Sequence, residues 1–312
     1  MLDRPPRLGL AITTYNRRDT LLRALAEYRR LTSVPFDLVV CDDGSSDGTI
    51  DAVRELGVTV LGGVNRGIAW NKNRGLWHLA NTCRCDVILL VDDDVAPVLH
   101  GWEQEWIAAV ARVGHVNFIP PHYYDDSLVG PRHMRASSLG VSSVVGGMVL
   151  AQSAQALAHV GYMDPRFGRY GHEHTDFSNR FLRAGFGGFC LREDGRSRWM
   201  YHVISGGLEL VPSKSNGDAD DIAKNGTLLG QLAGDPIYRS AWRSDAEMLT
   251  FQAEVCAPYL AGLTPVVPQS RAFSPSDYLR QNDDVLRAGE PALAHYLRCG
   301  HTEGRLGGFV AI

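Results

Sequence analysis

The sequence lacks the features that are typical of membrane and secreted proteins. No apolar run approaches the ~18–20 residues of a membrane-spanning helix, and the amino terminus, MLDRPPRLGLAITTYNRRD, has no signal-peptide core. The cysteines show neither CxxC spacing nor the density of a disulfide framework; they are Cys41, Cys83, Cys85, Cys190, Cys256 and Cys299. We therefore expect reduced thiols, a cytoplasmic protein and no transmembrane segment. Peripheral contact with a membrane stays open.

An excess of one charge sign is also missing. The chain has 31 basic and 35 acidic residues, which gives a net charge of −4, and the two signs are mixed along the sequence. A general nucleic-acid binder normally presents a basic face, so we do not expect nucleic acid as a partner. The hydrophobic content of 45% in 312 residues is enough for one large domain and a small appendage.

The first hundred residues alternate short apolar runs with helical patterns. The strand candidates are LGLAITTY, FDLVVCDDG, VTVLGG and DVILLVDDD, and the intervals between them read as helices. This alternation predicts an α/β fold with a Rossmann-like, mostly parallel central sheet flanked by helices. The polar clusters Thr13 to Asn16, Asp42 to Ser46 and Asp92 to Asp94 follow strand ends. They are expected at one edge of the sheet, where such folds bind ligands.

The pattern changes after residue 100. GWEQEWIAAVARVG and HEHTDFSNRFLRAG predict helices, and SSVVGGMVLAQ predicts a strand in which Gly146 and Gly147 indicate a bulge or a close approach of backbone. Residues 205–226 are rich in Gly, Ser and Asp and are predicted to form a mobile loop. The tail predicts a small α-helical module. We expect two domains, residues 1–265 and residues 266–312.

Three adjacent acids follow the fourth strand. Neighbouring carboxylates repel one another unless a cation or many donors compensate them. Asp92 and Asp94 form a D-x-D pair that could hold Mg²⁺ or Mn²⁺, which prefer oxygen ligands and commonly bind substrate phosphates as well. The alternative interpretation is a solvated turn with an acidic cap for the next helix.

Two further clusters have their own alternatives. CDDGSSDGT could present a carboxylate to a nucleobase or to ribose hydroxyls, or it could be an ordinary Asx turn. In NRGIAWNKNRG, Gly67 would let backbone approach a ligand, and Arg66, Lys72 and Arg74 would face a diphosphate. The alternative there is an exposed basic helix face.

Four motifs in order resemble the family 2 glycosyltransferases, which have the GT-A fold. ITTYNR, DDGSSDGT, NRGIAWNKNRG and LLVDDDV carry this resemblance, and GGMVL and GHEHTDFSNRFLRAG extend it over roughly residues 8 to 203. It implies a nucleoside-diphosphate sugar donor, UDP-sugar favoured, and Mn²⁺ or Mg²⁺ as cofactor. The implied donor-binding residues are Thr13, Tyr15, Asn16, Asp43, Arg66, Gly67, Lys72, Asp92 and Asp93, and the implied metal ligands are Asp92, Asp94 and His202. A core histidine is the alternative for His202.

The sequence departs from the family at the catalytic base. Inverting members commonly carry Glu-Asp on the helix that faces the acceptor, whereas this chain has Glu173 followed by His174. An imidazole within hydrogen-bond reach of the acceptor hydroxyl could remove its proton. Glu173 is the rival base, and Asp176 could orient His174 or bind the acceptor. A purely structural acid at the helix N-terminus is the alternative for Glu173.

The resemblance therefore predicts a metal-dependent, inverting hexosyltransferase of polysaccharide biosynthesis, which transfers a sugar to a hydroxyl of a glycan, lipid-linked or other acceptor. One alternative is a nucleotide-sugar-binding protein without transferase activity. Another is a nucleotidyltransferase, although TTYNRRD replaces the Gly-rich loop of that class. The tail is similar to a short helical module found on bacterial glycan-modifying and surface proteins, and the resemblance implies no role for it.

Overall fold

The computed structural model describes residues 4–211, 218–260, 271–300, 302–303, 305 and 309–311. The chain divides into two compact units, Met1–Arg243 and Ser244–Ile312. The domain boundary expected between residues 265 and 266 lies outside the described residues, so it stays a prediction. In the part of the chain that is described, no helix combines the length and the apolarity that crossing a membrane requires.

The elements follow one another as the alternation in the sequence predicts. The strands are β1 Leu8–Thr14, β2 Phe36–Asp42, β3 Thr59–Gly62, β4 Val87–Asp92, β5 Val95–Pro97, β6 His115–Phe118, β7 Leu128–Val129, β8 Gly140–Ser142, β9 Val149–Ser153, β10 Gly188–Glu193, β11 Arg196–Ile204, β12 Leu208–Leu210, β13 Arg271–Phe273 and β14 Phe309–Ala311. The helices are α1 Arg18–Leu31, α2 Thr49–Glu55, α3 Ile68–Trp77, α4 Glu103–Val113, α5 Tyr124–Ser127, α6 Ala154–Val160, α7 Glu173–Arg183, α8 Ala219–Leu232, α9 Asp245–Leu260, α10 Pro275–Gln281, α11 Asp283–Arg287 and α12 Ala292–His295.

A ten-stranded sheet forms the centre of the first unit. Its strand order is β3-β2-β1-β4-β9-β6-β11-β8-β7, and β10 pairs with β11. The first four strands are parallel, and their register pairs Thr13 with Asp92 and Thr14 with Asp42. The three polar clusters therefore meet at one edge of the sheet, as predicted.

Alternating side chains of β1 feed two separate cores. Leu8, Leu10 and Ile12 belong to a core that also contains residues of α1 and α4. Ala11 points to the opposite face, where residues of α3, α6 and α7 pack. Because strand side chains alternate between the two faces of a sheet, one fully buried strand supplies both layers. The sheet is thus sandwiched between helices, and the predicted α/β fold is confirmed.

Two segments differ from the sequence-based expectation. Residues 205–226 are not a continuous loop, because they contain β12 and the start of α8, whose N-cap Asp218 accepts a hydrogen bond from the backbone of Asp220. The Gly and Ser content of this segment concealed a cap followed by a helix. The C-terminal unit contains α9, α10, α11 and α12, and it also contains the antiparallel pair β13–β14.

Candidate active site

A cleft of about 690 Å³ opens at the edge of the sheet where the parallel strands end. Its wall contains residues from all three predicted clusters together with residues from later loops. It is lined by Thr13, Thr14, Tyr15, Arg17, Asp43, Asn65, Gly67, Ile68, Asn71, Asp92, Asp93, Asp94, His122, Met148, Arg169, Tyr170, Leu210, Val211, Asp218 and Asp221. The cleft is large enough for a ligand of nucleotide size.

The three adjacent acids differ in their surroundings. Asp92 is the last residue of β4, and its side chain is 32% exposed. Its Oδ1 accepts hydrogen bonds from Thr13 Oγ1 at 3.0 Å and from Lys72 Nζ at 2.9 Å. Burial raises the pKa of Asp92, and Lys72 opposes that rise. One oxygen of this carboxylate is thus held by the protein, at the point where the strand delivers it to the cleft.

Arg17 joins the other two acids. Its Nη1 donates to Asp93 Oδ1 at 2.8 Å and to Asp94 Oδ2 at 2.9 Å. Asp93 is only 2% exposed and also accepts a hydrogen bond from Thr14 Oγ1. Burial raises the pKa of Asp93 to about 6, although Thr14 and Arg17 oppose the rise. Arg17 directly follows the Tyr-Asn pair of the first motif, but its spacing gave no indication of this contact.

The two acids of the DDGS turn make different contacts. Asp42 is fully buried, and its Oδ1 accepts the backbone N–H groups of Gly44 and Ser45, which closes the turn. Asp43 lies at the cleft, and its two oxygens accept the backbone N–H groups of Arg66 and Gly67 at 3.0 and 2.9 Å. The second acid therefore reaches the cleft as predicted, but it also fixes the loop that opposes it.

Tyr15 and Asn16 leave β1 in different directions. Tyr15 is 38% exposed and lines the cleft. Asn16 has a positive φ of 52°, and its Oδ1 accepts the backbone N–H of Ser46 at 2.8 Å. Asn16 is not among the residues of the cleft wall. Its hydrogen bond to Ser46 instead holds the DDGS turn against the end of β1. Its direct contact with a nucleotide stays a prediction.

Lys72 lies behind the acids. Its side chain is 1% exposed, and Nζ donates to the carbonyl oxygen of Gly147 at 2.6 Å as well as to Asp92. Lys72 is absent from the cleft wall, although its partner Asp92 lines the cleft, and its predicted contact with a diphosphate stays a prediction. A fixed positive charge at this place offsets one of three adjacent negative charges.

The predicted base residues begin α7. Glu173 is 4% exposed, and its Oε1 lies 3.1 Å from His174 Nδ1, while its Oε2 is buried without a hydrogen-bond partner. Burial favours the neutral form of Glu173, yet His174 and Lys72 outweigh it and lower the pKa to about 2. The His174 ring packs on Gly147, next to the cleft residue Met148.

Asp176 has a different partner. Its Oδ2 accepts a hydrogen bond from Arg180 Nε at 2.8 Å within α7, and both side chains are buried. Arg180 also donates to the carbonyl oxygens of Val160 and Tyr162. The structure therefore does not bring Asp176 to His174 or to the cleft. Its buried ion pair ties α7 to the segment that follows α6.

Comparison with known proteins decides the family. The family model described as "Glycosyl transferase family 2" matches residues 10–171, which is more than half of the chain. The chain belongs to this family. It is therefore a glycosyltransferase, and the predicted family is confirmed. The glycosyltransferase is 24% identical over 193 residues to an uncharacterized glycosyltransferase, R363, of Acanthamoeba polyphaga mimivirus, across 57% of this chain and 73% of the relative.

Two solved structures share the fold. GalNAc-T7, solved with UDP, GalNAc and Mn²⁺, gives a TM-score of 0.56 at 11% identity over 97% of this chain and 58% of that chain. Residues 1–349 of S. aureus TarS, in complex with UDP-GlcNAc, give a TM-score of 0.50 at 12% identity over 96% of this chain and 92% of that chain. At such identities the similarity shows the fold, and it confirms the predicted GT-A architecture of the glycosyltransferase.

The glycosyltransferase does not place His202 beside the D-x-D pair. His202 is in β11, and β9 and β6 separate that strand from β4, which puts the two strands roughly 14 Å apart. The register sets Val203 level with Leu90, so His202 is also below the strand end. Asp92, Asp94 and His202 form no three-ligand group within the described residues. The structure separates His202 from the pair because β9 and β6 insert between two strands that the sequence could not order, and its role as a metal ligand stays a prediction.

Several cleft residues carry no motif. His122 comes from the short 3-10 helix Pro121–Tyr123, Tyr170 comes from a loop, and Asp218 and Asp221 come from the start of α8. The last two were predicted to lie in a mobile loop, and only the Asp-rich run before an apolar pattern could have indicated a helix N-terminus there. These residues line the part of the cleft wall that the family motifs do not supply.

Gly67 is at a position that only a residue without a side chain can occupy, because another backbone segment lies against it. Its φ is +92°, and a Cβ would overlap the carbonyl oxygen of Gly168. The predicted close approach therefore exists, but the approaching group is the protein's own backbone. Arg66 is exposed, and its guanidinium lies 4.8 Å from the centre of the Trp70 ring, outside the cleft wall. Contact of either residue with a diphosphate stays a prediction.

We expect Gly67→Ala to lower the free energy of unfolding by about 3 kcal/mol or more, because backbone strain and overlap with Gly168 add together. Gly48→Ala is the matched control, since Gly48 has a φ of +80° but open space around it. Strain alone should lower its stability by about 1 kcal/mol. Urea denaturation measures both. Equal losses in the two variants would show that the contact with Gly168 is unimportant.

Proposed function

We propose that the protein is a metal-dependent, inverting glycosyltransferase that moves a sugar from a nucleoside-diphosphate sugar to a hydroxyl of a glycan, lipid-linked or other acceptor. The observation that carries the proposal is the convergence of Asp92, Asp93 and Asp94 with Tyr15 and Asp43 in one cleft at the ends of parallel strands. This is the edge at which α/β sheets bind nucleotides. A UDP-sugar is the favoured donor, supported by the UDP and UDP-GlcNAc in the two similar structures.

The acids fit a divalent cation. Asp92 and Asp94 offer oxygen donors at the cleft, and such donors suit Mn²⁺ and Mg²⁺. Lys72 and Arg17 each occupy one oxygen of this pair, and within the described residues Asp92 Oδ2 has no protein partner. A cation held by Asp92 and Asp94 would neutralise charge on the departing diphosphate. The Mn²⁺ of the GalNAc-T7 structure supports this assignment.

The acceptor side is proposed to use the pair Glu173 and His174. An inverting displacement needs a base that takes the acceptor proton on the face opposite the leaving group. The Glu173 carboxylate is placed to hold the Nδ1–H of His174, which would leave Nε2 as the proton acceptor. Lys72, which pairs with Asp92, donates to the carbonyl oxygen of Gly147, and the His174 ring packs on Gly147. The absence of disulfides among the six described cysteines supports a cytoplasmic site of action, which is part of the proposal.

Ligand-dependent stabilisation tests the proposal directly. UDP with Mn²⁺ is expected to raise Tm more than ADP, GDP or CDP with Mn²⁺, and EDTA should remove most of the shift. A ligand at 100 times its Kd adds about 2.7 kcal/mol, or roughly 5 °C or more for a chain of this size. The anomeric configuration of the transfer product, read by NMR, tests inversion. The proposal would be overturned if no nucleoside diphosphate shifted Tm with any divalent cation.

A further inference from the structure

A second group of metal-binding side chains lies in the C-terminal unit, outside the residues that match the family. His295, Cys299 and Glu303 place one ligand atom each so that all three lie within 4.8 Å of one another. Among the described residues this is the one group of three or more His, Cys, Asp or Glu side chains that meets this distance. His295 and Cys299 are four residues apart on one face of α12 and its continuation through Tyr296–Gly300, and Glu303 follows in a turn in which its backbone N–H donates to the carbonyl oxygen of Cys299 at 2.9 Å.

The spacing of two ligand atoms matches a tetrahedral metal. Cys299 Sγ lies 3.4 Å from His295 Nε2. A Zn²⁺ ion with a sulfur at ~2.3 Å and a nitrogen at ~2.0 Å holds those two atoms about 3.5 Å apart at the tetrahedral angle. The separation of these two atoms therefore suits the ion, and a carboxylate oxygen of Glu303 lies within 4.8 Å of both.

A neighbouring hydroxyl sets the orientation of the imidazole. Tyr278 is fully buried, and its Oη lies 2.8 Å from His295 Nδ1. This hydrogen bond fixes the ring and leaves Nε2 directed at Cys299. Gly300 permits the arrangement, because a Cβ there would overlap Tyr278 Oη. Metal-bound histidines usually carry such a partner on the second ring nitrogen.

The carboxylate is also held in place. Arg305 Nε donates to Glu303 Oε2 at 2.6 Å, and Arg305 Nη1 donates to Asp284 at 2.7 Å. The other oxygen of Glu303 is then available on a carboxylate whose direction is fixed. A thiolate at Cys299 and a carboxylate at Glu303 together carry two negative charges, which a divalent cation would neutralise.

We infer that His295, Cys299 and Glu303 bind a divalent transition-metal ion, with Zn²⁺ the ion that fits this mixed nitrogen, sulfur and oxygen set. Three protein ligands leave the fourth tetrahedral position to water. Among the described residues, the apolar cluster beside the site has three buried members, Tyr278, Val285 and Ala292, and we expect the ion to stabilise it. The inference does not depend on the proposed sugar transfer.

Cobalt substitution in the full-length protein tests the site. We expect Co²⁺ to produce the near-ultraviolet absorption of a cobalt–thiolate bond, and Zn²⁺ to abolish it by displacement. Cys299→Ser should remove the band, while Cys190→Ser and Cys83→Ser should retain it. The acids of the cleft bind through oxygen alone, so they cannot produce this signal. Tyr278→Phe should keep the band and weaken Zn²⁺ binding by about 10-fold.

Two outcomes would overturn the inference. One is the absence of a thiolate band in the wild-type protein with saturating Co²⁺. The other is a band that persists in Cys299→Ser, since the sulfur would then belong to another cysteine. Thermal unfolding of the C-terminal unit provides the second measurement: Zn²⁺ should raise its Tm in the wild type and in Cys190→Ser, but not in Glu303→Gln or Cys299→Ser.

Discussion

Replacing His174 with alanine is expected to lower kcat for sugar transfer by about 10²–10⁴-fold, the usual contribution of a positioned general base. The reason lies in the contact between His174 Nδ1 and Glu173 Oε1 at 3.1 Å. A carboxylate on one ring nitrogen holds the imidazole in the tautomer whose other nitrogen accepts a proton. The side chain of His174 is 21% exposed, whereas that of Glu173 is 5% exposed, so the acceptor hydroxyl has readier access to the histidine.

Glu173→Gln separates orientation from proton transfer. A glutamine amide presents a donor as well as an acceptor to His174 Nδ1, so it no longer selects the required tautomer. We expect kcat to fall in this variant as well, and free imidazole should not restore it. If Glu173 itself removed the proton, Glu173→Gln would abolish transfer and His174→Ala would retain most of it. The comparison of the two single variants therefore assigns the base.

The pH dependence of kcat tests independently whether Glu173 is the base. The pKa of Glu173 is lowered to about 2, so this carboxylate stays ionised throughout the neutral range and gives no titration there. A carboxylate base of this kind would leave kcat level between pH 5 and 8. We therefore expect Glu173 to contribute no acid limb to the wild-type profile of kcat against pH in this range, and a limb that Glu173→Gln removed would contradict the low pKa of this carboxylate.

Imidazole rescue completes the test of the base. Free imidazole should restore part of the kcat of His174→Ala, because the deleted side chain leaves a space of matching shape beside Gly147. His174 is not itself part of the cleft wall but packs on Gly147, beside the cleft residue Met148. His100→Ala is the matched control, since His100 is exposed in the segment between β5 and α4, and its kcat should equal that of the wild type. A His174→Ala variant with wild-type kcat at neutral pH would exclude this residue as the base.

The edge of the sheet at which the three polar clusters meet could be predicted, because its position depends on local sequence and one geometric rule. Four apolar strands separated by helices form a parallel sheet, and parallel strands put their carboxyl ends together. Thr13, Asp43 and Asp92 therefore reach one cleft from segments that are far apart in sequence. The same rule gives no information about strands that enter the sheet out of order. The insertion of β9 and β6 beside β4 separates His202 from the D-x-D pair, and no local pattern encodes that order.

Side-chain direction accounts for the other differences. Lys72 and Arg17 are both cations of the predicted donor region, yet Lys72 is buried behind Asp92 and Arg17 spans Asp93 and Asp94 at the cleft. Neither the position of Lys72 on α3 nor that of Arg17 just before α1 determines these contacts, because a long side chain goes where an unpaired carboxylate needs it. Glu173 and His174 were predicted as a pair. Their division into an orienting carboxylate and an exposed imidazole required the distances.

Asp94→Asn and Arg17→Ala are expected to change Mn²⁺ binding in opposite directions. Asp94→Asn removes a charged ligand, so the Kd for Mn²⁺ should rise and kcat/KM should fall on the order of 10²–10³-fold. Arg17 already binds Asp94 Oδ2 at 2.9 Å, so it competes with an incoming cation for that carboxylate. Removing it should lower the Kd for Mn²⁺ in the absence of nucleotide. Titration calorimetry or Mn²⁺ paramagnetic resonance measures both values.

Opposite changes in the Kd for Mn²⁺ in the two variants distinguish a metal site from general damage to the fold. Arg17→Ala also leaves Asp93, which is 2% exposed, with one partner fewer, so a lower Tm is expected together with tighter Mn²⁺ binding. A structural defect alone would weaken Mn²⁺ binding in both variants. Asp86→Asn is the charge-matched control, because Asp86 pairs with Arg4 away from the cleft wall. If Asp94→Asn bound Mn²⁺ as tightly as Asp86→Asn does, Asp94 would not be a ligand, and the acids of the cleft would serve only to hold Arg17 and Lys72.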